Sequence, residues 1–123
     1  MIERSCVRSK INLPVLEGTQ RHLAALDNVP DLTRNLSLLG DPTRLRILLS
    51  LAHAGELCVC DLADILGMET SAISHQLRKL RDGGLVSNYR EGPTIYYRLE
   101  LEAIRDPLAV TRSLLLEGRE VPA

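Results

Sequence analysis

The sequence lacks the large aromatic residues from which many protein cores are built. It has no phenylalanine and no tryptophan, and only three tyrosines among 123 residues. A core must therefore come from leucine, isoleucine, valine and alanine, in a chain that is 45% hydrophobic. That composition favours packed helices. The length fits one domain, and a chain this small often gains core by pairing with a second copy.

Long apolar runs are also missing. No run of about 18 apolar residues occurs, so we expect no membrane-spanning helix. The charged N-terminus MIERSCVRSK is not followed by an apolar run, which argues against a secretory signal. These features predict a cytosolic protein. Thiols stay reduced there, so closely spaced cysteines are more often ligands or catalysts than disulfides, and the chain has only three.

A strong net charge is absent, but the charges are unevenly distributed. The formal net charge is −1. Residues 71–98 contain five Lys/Arg and two acidic residues, a net charge of +3, whereas the remainder carries −4. Positive potential is therefore concentrated in one segment, which is typical of a nucleic-acid-binding surface.

Periodicity and helix-boundary residues predict a mainly α-helical chain with one small β-hairpin. Alternation on both sides of Glu91-Gly92-Pro93 indicates the hairpin. A last helix is expected to start with Asp106 as cap and Pro107 in its first turn. Five helices are expected before the hairpin, over 15–28, from the cap Asp31 to 39, from Asp41-Pro42 to Gly55, and over 58–67 and 71–82.

This order predicts a winged helix-turn-helix fold over residues 15–117. Residues 1–14 are expected to form a flexible arm that carries Cys6, and residues 118–123 a tail. In the helix-turn-helix window, Ala63 is the small residue where the helices cross, Gly67 makes the turn and Thr70 caps the second helix. The helix–helix contact would come from Leu62, Leu66, Met68, Ile73 and Leu77.

The second of these helices is expected to read DNA. Its apolar residues would face inward, and Arg90 near the hairpin tip would reach the backbone or minor groove. The alternative is a solvated charged face with no DNA partner. The expected outward residues are Ser71, Ser74, His75, Arg78 and Lys79.

Cys58 and Cys60 stand in the stretch ELCVCD, immediately before the helix-turn-helix. Residues two apart point about 200° apart on a helix, so they can share a metal only where the helix begins. A helix N-terminus also favours the thiolate. Three thiolates, with Cys6 as the third, would suit Cd(II), Pb(II), As(III), Hg(II), or Zn(II) with Asp61 as a fourth ligand.

Three other interpretations of the cysteines stay open. They are small buried hydrophobic residues, or a redox switch in which Cys6 forms a disulfide with one of the pair. In the third, Cys58 is the nucleophile of an enzyme, although the segment has no glycine-rich anion loop and no nearby histidine base.

Residues 56–99, from ELCVCD to YYRL, resemble the ArsR/SmtB family of bacterial metal-responsive repressors, and the likeness begins near Leu36. The resemblance implies a homodimer formed through the first and last helices. It implies operator DNA as partner, no organic cofactor, and release of the DNA when metal binds. The family's recognition helix corresponds to the segment that contains Ser74, His75, Gln76 and Arg78.

The cysteine pair is similar to the family's site on the first helix of the helix-turn-helix. An N-terminal cysteine resembles the cadmium/lead sensors, in which arm thiols join the pair. The arsenic sensors often carry a further cysteine where this chain has Ala63. A second family site on the last helix uses histidine, which residues 100–120 lack, so the resemblance implies the cysteine site alone.

Overall fold

The computed structural model describes residues 10–117, which divide into two compact units. The first ends at Pro30 and contains α1, and the second begins at Asp31 within the first turns of α2. No helix in this described range is long and apolar enough to cross a membrane. The elements are α1 Leu13–Ala24, α2 Val29–Leu39, α3 Pro42–Ala54, β1 Leu57–Cys58, α4 Val59–Leu66, α5 Thr70–Asp82, β2 Val86–Glu91, β3 Thr94–Leu99 and α6 Leu101–Glu117.

α1 begins two residues earlier than the sequence predicts, and ends earlier too. The Asn12 side chain accepts a hydrogen bond from the backbone N–H of Val15 at 3.2 Å, which caps the helix start. Pro14 therefore lies in the first turn, where its missing N–H costs nothing, and does not mark the end of an arm. The helix stops at Ala24 rather than at Asn28.

α2 and α3 begin with proline in their first turns. Asp31 is in the first turn of α2 and is not its cap, because the helix starts at Val29. α3 follows the expectation: Asp41 is its cap and accepts from the backbone N–H of Arg44 at 3.0 Å. It ends at Gly55, whose φ of 89° suits glycine.

The helix-turn-helix of α4 and α5 is confirmed. Ala63 is buried, and Gly67 has φ 66° and ψ 39°, the left-handed turn that the motif needs. Thr70 is the first residue of α5 rather than its cap, which is Glu69. The core of the fold is made of buried side chains from α3, α4, α5 and the start of β2: Ile47, Leu48, Leu51, Leu62, Ala63, Leu66, Ile73, Leu77, Leu80, Leu85 and Val86.

The predicted hairpin is the wing, formed by β2 and β3 with Gly92 and Pro93 at the turn. The sequence did not predict a third strand. The two-residue strand β1 pairs antiparallel with β3, with Cys58 opposite Tyr96, in the strand order β1-β3-β2. The wing is thereby joined through backbone pairing to the segment that enters α4.

α6 begins at Leu101, six residues before the predicted start at Pro107. The residues ahead of the proline explain the difference, because Ala103 and Ile104 pack against the core. Pro107 lies inside the helix and is buried. It removes one N–H bond from the ladder, a cost that packing of the first turns offsets.

Candidate nucleic-acid interface and thiol site

The two cysteines lie on either side of the start of α4. Cys58 has extended backbone, with φ −87° and ψ 173°, and serves as the N-cap of the helix. Cys60 is the second helical residue. Because Cys58 precedes the helix, the two side chains need not point about 200° apart as they would within it. The helix geometry therefore does not prevent the two thiols from binding one ion.

Asp61 has a structural partner at this helix start. Its Oδ2 accepts a hydrogen bond from the backbone N–H of Cys58 at 3.3 Å. Cys58 and Asp61 together form a capping box, in which the sulfur faces the Asp61 backbone N–H. A carboxylate also stabilises the positive end of the helix dipole. If Asp61 bound a metal ion, it would have to give up or share this capping contact.

The thiols are accessible. Cys58 is half-buried and Cys60 is exposed, and their acidic neighbours Glu56 and Asp61 are exposed as expected. Both cysteines line an open groove of about 430 Å³ beside the wing turn. The interpretation as small buried hydrophobic residues therefore does not fit. The groove is completed by Val59, Pro93, Thr94 and Ile95.

No third ligand stands ready within residues 10–117, where no group of three or more His, Cys, Asp or Glu side chains is placed to hold a metal ion. Cys6 lies outside the described residues, so its predicted part in the site stays a prediction.

A cluster beside β1, which sequence reasoning missed, ties the wing to the residue two positions before Cys58. The Tyr89 hydroxyl donates a hydrogen bond to the Glu56 carboxylate, which raises the pKa of Tyr89 to about 12. The Tyr89 ring stacks on Tyr96 at 5.7 Å between centroids, and Arg98 lies 5.8 Å from the Tyr89 centroid. The alternation of β2 indicates which residues pair, but nothing in it indicates Glu56 as partner.

The outward surface of α5 matches the prediction. Ser71, His75, Arg78 and Lys79 are exposed, whereas Ser74 is half-buried. The inward residues Ile73, Leu77 and Leu80 are fully buried, and Ala72 is half-buried. The core thus fixes the rotation of the helix, and its polar surface remains open.

The two remaining residues that were predicted to contact DNA, Arg90 and Gln76, do not lie on the exposed side of α5. Arg90 is exposed near the end of β2, next to the wing turn. Gln76 is half-buried and its Oε1 accepts a hydrogen bond from Nη1 of Arg44 at 3.3 Å. Gln76 therefore contacts α3 through its amide oxygen, and the half-buried side chain keeps part of its surface open.

The comparisons with known proteins agree with this geometry. The model of bacterial regulatory proteins of the arsR family matches residues 41–88. The transcriptional repressor SmtB homolog of Synechocystis is 40% identical over 94 residues, which cover 76% of this chain and 70% of that protein. The cadmium resistance transcriptional regulatory protein CadC homolog of Staphylococcus aureus is 36% identical over 97 residues, 79% of this chain and 78% of that protein.

A solved structure described as a possible transcriptional regulator for arsenical resistance superposes with a TM-score of 0.61 at 32% identity. The match covers 68% of this chain and 86% of that chain. These proteins are named as transcriptional regulators and not as enzymes, so the thiol-enzyme interpretation is wrong. The chain belongs to the ArsR/SmtB family of winged helix-turn-helix transcriptional regulators.

Proposed function

We propose that this protein is a metal(loid)-responsive repressor that binds operator DNA as a homodimer. It releases the DNA when a thiophilic ion binds Cys58 and Cys60 together with Cys6. One observation carries the proposal. Cys58 is at once the strand residue opposite Tyr96 of the wing and the N-cap of the helix that packs on α5.

The DNA-binding half of the proposal rests on exposed polar and basic side chains over a rigid core. Ser71, His75 and Arg78 recur at a spacing that puts them on one side of α5. Hydroxyl and imidazole groups there can reach base edges, and Arg78, Lys79 and Arg90 can contact phosphates or guanine.

The homodimer is supported by apolar side chains that α1 and α6 each leave exposed. Leu23 on α1 is 62% exposed and Leu115 on α6 is 67% exposed. Helices with such surfaces gain stability when a partner covers them. Two recognition helices in a symmetric dimer would reach two half-sites of a pseudo-palindrome. The other exposed apolar residues of these helices are Leu13, Val15, Leu101, Leu108 and Leu116.

The donor set suits soft ions, because thiolates prefer Cd(II), Pb(II), As(III) and Zn(II) over hard cations. A relative named for cadmium resistance and a similar structure titled for arsenical resistance point to the same class of inducer. The ion supplies bonds that hold the thiolates together, and Asp61 is a candidate fourth ligand in the Zn(II) case.

The chain's own residues convert ligation into a change at the DNA surface. Holding Cys58 against Cys60 constrains the residue that pairs with β3 and the first turn of α4. α4 contacts α5 through buried Leu62, Ala63 and Leu66, so a shift of α4 reaches the recognition helix. Allosteric coupling is typically about 1–3 kcal/mol, and a full switch needs about 5.5 kcal/mol.

Matched variants test the proposal. Binding of the full chain to duplex DNA from upstream of its own gene is followed by fluorescence anisotropy, without oxygen, during addition of Cd(II), Pb(II), As(III) or Zn(II). Cys58→Ser and Cys60→Ser should bind the duplex like the wild type but no longer release it. Arg78→Ala should bind the duplex weakly yet keep its thiolate–metal absorbance.

Two results would change the conclusion. Normal release from Cys58→Ser would refute the thiolate mechanism. Release caused by mild oxidant and by none of the four ions would favour the redox switch, with a disulfide between Cys6 and one of the pair. Cys6→Ser, titrated in parallel, reports whether the arm thiol takes part.

A further inference from the structure

Arg44 links three elements next to the recognition helix. It is the third residue of α3, and its backbone N–H is already bound to Asp41. Its Nε donates to the backbone carbonyl of Leu38 at 3.0 Å and its Nη2 to that of Ser37 at 3.2 Å. Both carbonyls belong to the last turn of α2, where helix carbonyls have no partner within the helix.

The remaining arm of the guanidinium reaches α5, where Nη1 lies 3.3 Å from Oε1 of Gln76. Arginine only donates hydrogen bonds, so the amide oxygen and not the amide nitrogen must face it. The orientation of the Gln76 amide is therefore determined by chemistry. Its Nε2, with two N–H donors, cannot bond to the guanidinium and is left for another partner.

We propose that Arg44 is a positioning residue that fixes Gln76 as a hydrogen-bond donor toward DNA. A free glutamine reads adenine with both ends of its amide, accepting from N6 and donating to N7. With its oxygen turned toward Arg44, Gln76 presents its two N–H donors to any other partner. It then suits sites that present acceptors, namely O6 or N7 of guanine, O4 of thymine, or a phosphate oxygen. Adenine is disfavoured, because its N7 can still accept but its N6 donor finds no acceptor on Gln76. This inference rests on the proposed DNA binding by α5.

Lysine cannot replace Arg44 in this role, because one ammonium nitrogen cannot bond to Gln76 and both carbonyls in the same planar fork. Arg44→Lys should therefore release the Gln76 amide. Gln76→Met removes the donor and leaves the two carbonyl contacts of Arg44 in place, so it covers the case in which Arg44→Lys does not fold. Arg46→Lys, at an exposed position on the same helix, is the matched control.

The test uses the full chain and a duplex that the wild type selects from a random-sequence pool. Affinity is then measured for every single-base substitution of that duplex, at several salt concentrations. If Gln76 contacts a base, discrimination against adenine at one position per half-site should fall about threefold to tenfold, the size of one hydrogen bond, in Arg44→Lys and in Gln76→Met. Arg46→Lys should keep the wild-type profile.

If Gln76 contacts a phosphate, the two variants should instead bind all duplexes uniformly more weakly, with no change in base preference. A changed base preference supports the inference, because a loss of stability alone would not change it. Uniformly weaker binding supports it only where urea unfolding shows that Gln76→Met keeps the wild-type stability, and uniformly weaker binding together with lowered stability would overturn it. Wild-type affinity, base profile and salt dependence in both variants would overturn it while leaving the proposed function intact. A wild-type chain that selects no duplex would overturn the proposed function and this inference with it.

Discussion

Replacing Cys58 by serine separates the structural role of this position from its chemical role. Cys58 is an N-cap, and its sulfur is a weak hydrogen-bond acceptor. Serine is among the preferred N-cap residues, and its oxygen accepts more strongly. The extended backbone at φ −87° and ψ 173° suits either residue, and the Asp61 contact to the backbone N–H does not depend on the side chain.

The expected effect on stability is therefore zero to favourable. Exchange of a good cap for alanine costs about 0.5–2 kcal/mol, and cysteine should lie between serine and alanine. Cys58→Ser should leave the free energy of unfolding unchanged or raise it by up to about 1 kcal/mol. Cys58→Ala should lower it by a similar amount. The stability order is then serine at or above cysteine, with alanine last.

Urea unfolding of the reduced, chelator-treated protein, followed by circular dichroism, measures this order. Protein concentration must be the same for each variant, because the stability of the proposed dimer would depend on it. Asp61→Asn tests the other half of the capping box and should cost about 0.3–1 kcal/mol through loss of charge at the helix N-terminus. A Cys58→Ser protein less stable than Cys58→Ala would refute the capping geometry.

Four further predictions concern the fold and its side-chain contacts. Gly67→Ala should lower the free energy of unfolding by about 1–2 kcal/mol, because its φ of 66° is strained for alanine although no atom lies within 4 Å of the added carbon. Gly18→Ala, mid-helix in α1 with only an ordinary contact to Arg21, should instead stabilise by about 0.5–1 kcal/mol in the same denaturant assay, and equal signs at the two sites would contradict the reasoning. Leu77→Ala removes a fully buried side chain and should cost about 2–5 kcal/mol, whereas a cost below 1 kcal/mol would show that α5 is not packed as described. Tyr89 should ionise near pH 12 rather than at its ordinary pKa of 10.0, measured as the difference in phenolate absorbance between the wild type and Tyr89→Phe. The stabilisation from its Glu56 contact is complete below pH 10 and is lost as the pH rises through 12. Ionisation at the ordinary pKa would contradict the contact.

The helix-turn-helix was predictable because its requirements are local. A small residue at Ala63, a left-handed turn at Gly67 and apolar spacing on α5 each leave a mark in the sequence. The wing was predictable for the same reason, since alternation brackets a two-residue turn. The exposed surface of α5 follows from the apolar spacing on that helix, because the buried residues fix which side faces outward.

The remaining features depend on tertiary contacts. β1 is two residues long and exists because β3 lies beside it, which no periodicity records. α6 extends back to Leu101 because Ala103 and Ile104 reach the core, which outweighs the start signal of Asp106 and Pro107. The contacts of Tyr89 with Glu56 and of Arg44 with Gln76 join residues more than 30 positions apart. The starts of two helices did carry local signals that were missed, the cap at Asn12 for α1 and Pro30 in the first turn of α2.

The most direct test of the central claim is one anaerobic titration of the reduced protein bound to its upstream duplex. Thiolate–metal absorbance and DNA release are followed together for Cd(II), Pb(II), As(III) and Zn(II). The account predicts that at least one ion produces thiolate charge-transfer absorbance and releases the DNA over the same range of added ion. Absorbance without release, or release in a Cys58→Ser/Cys60→Ser double variant, would contradict it.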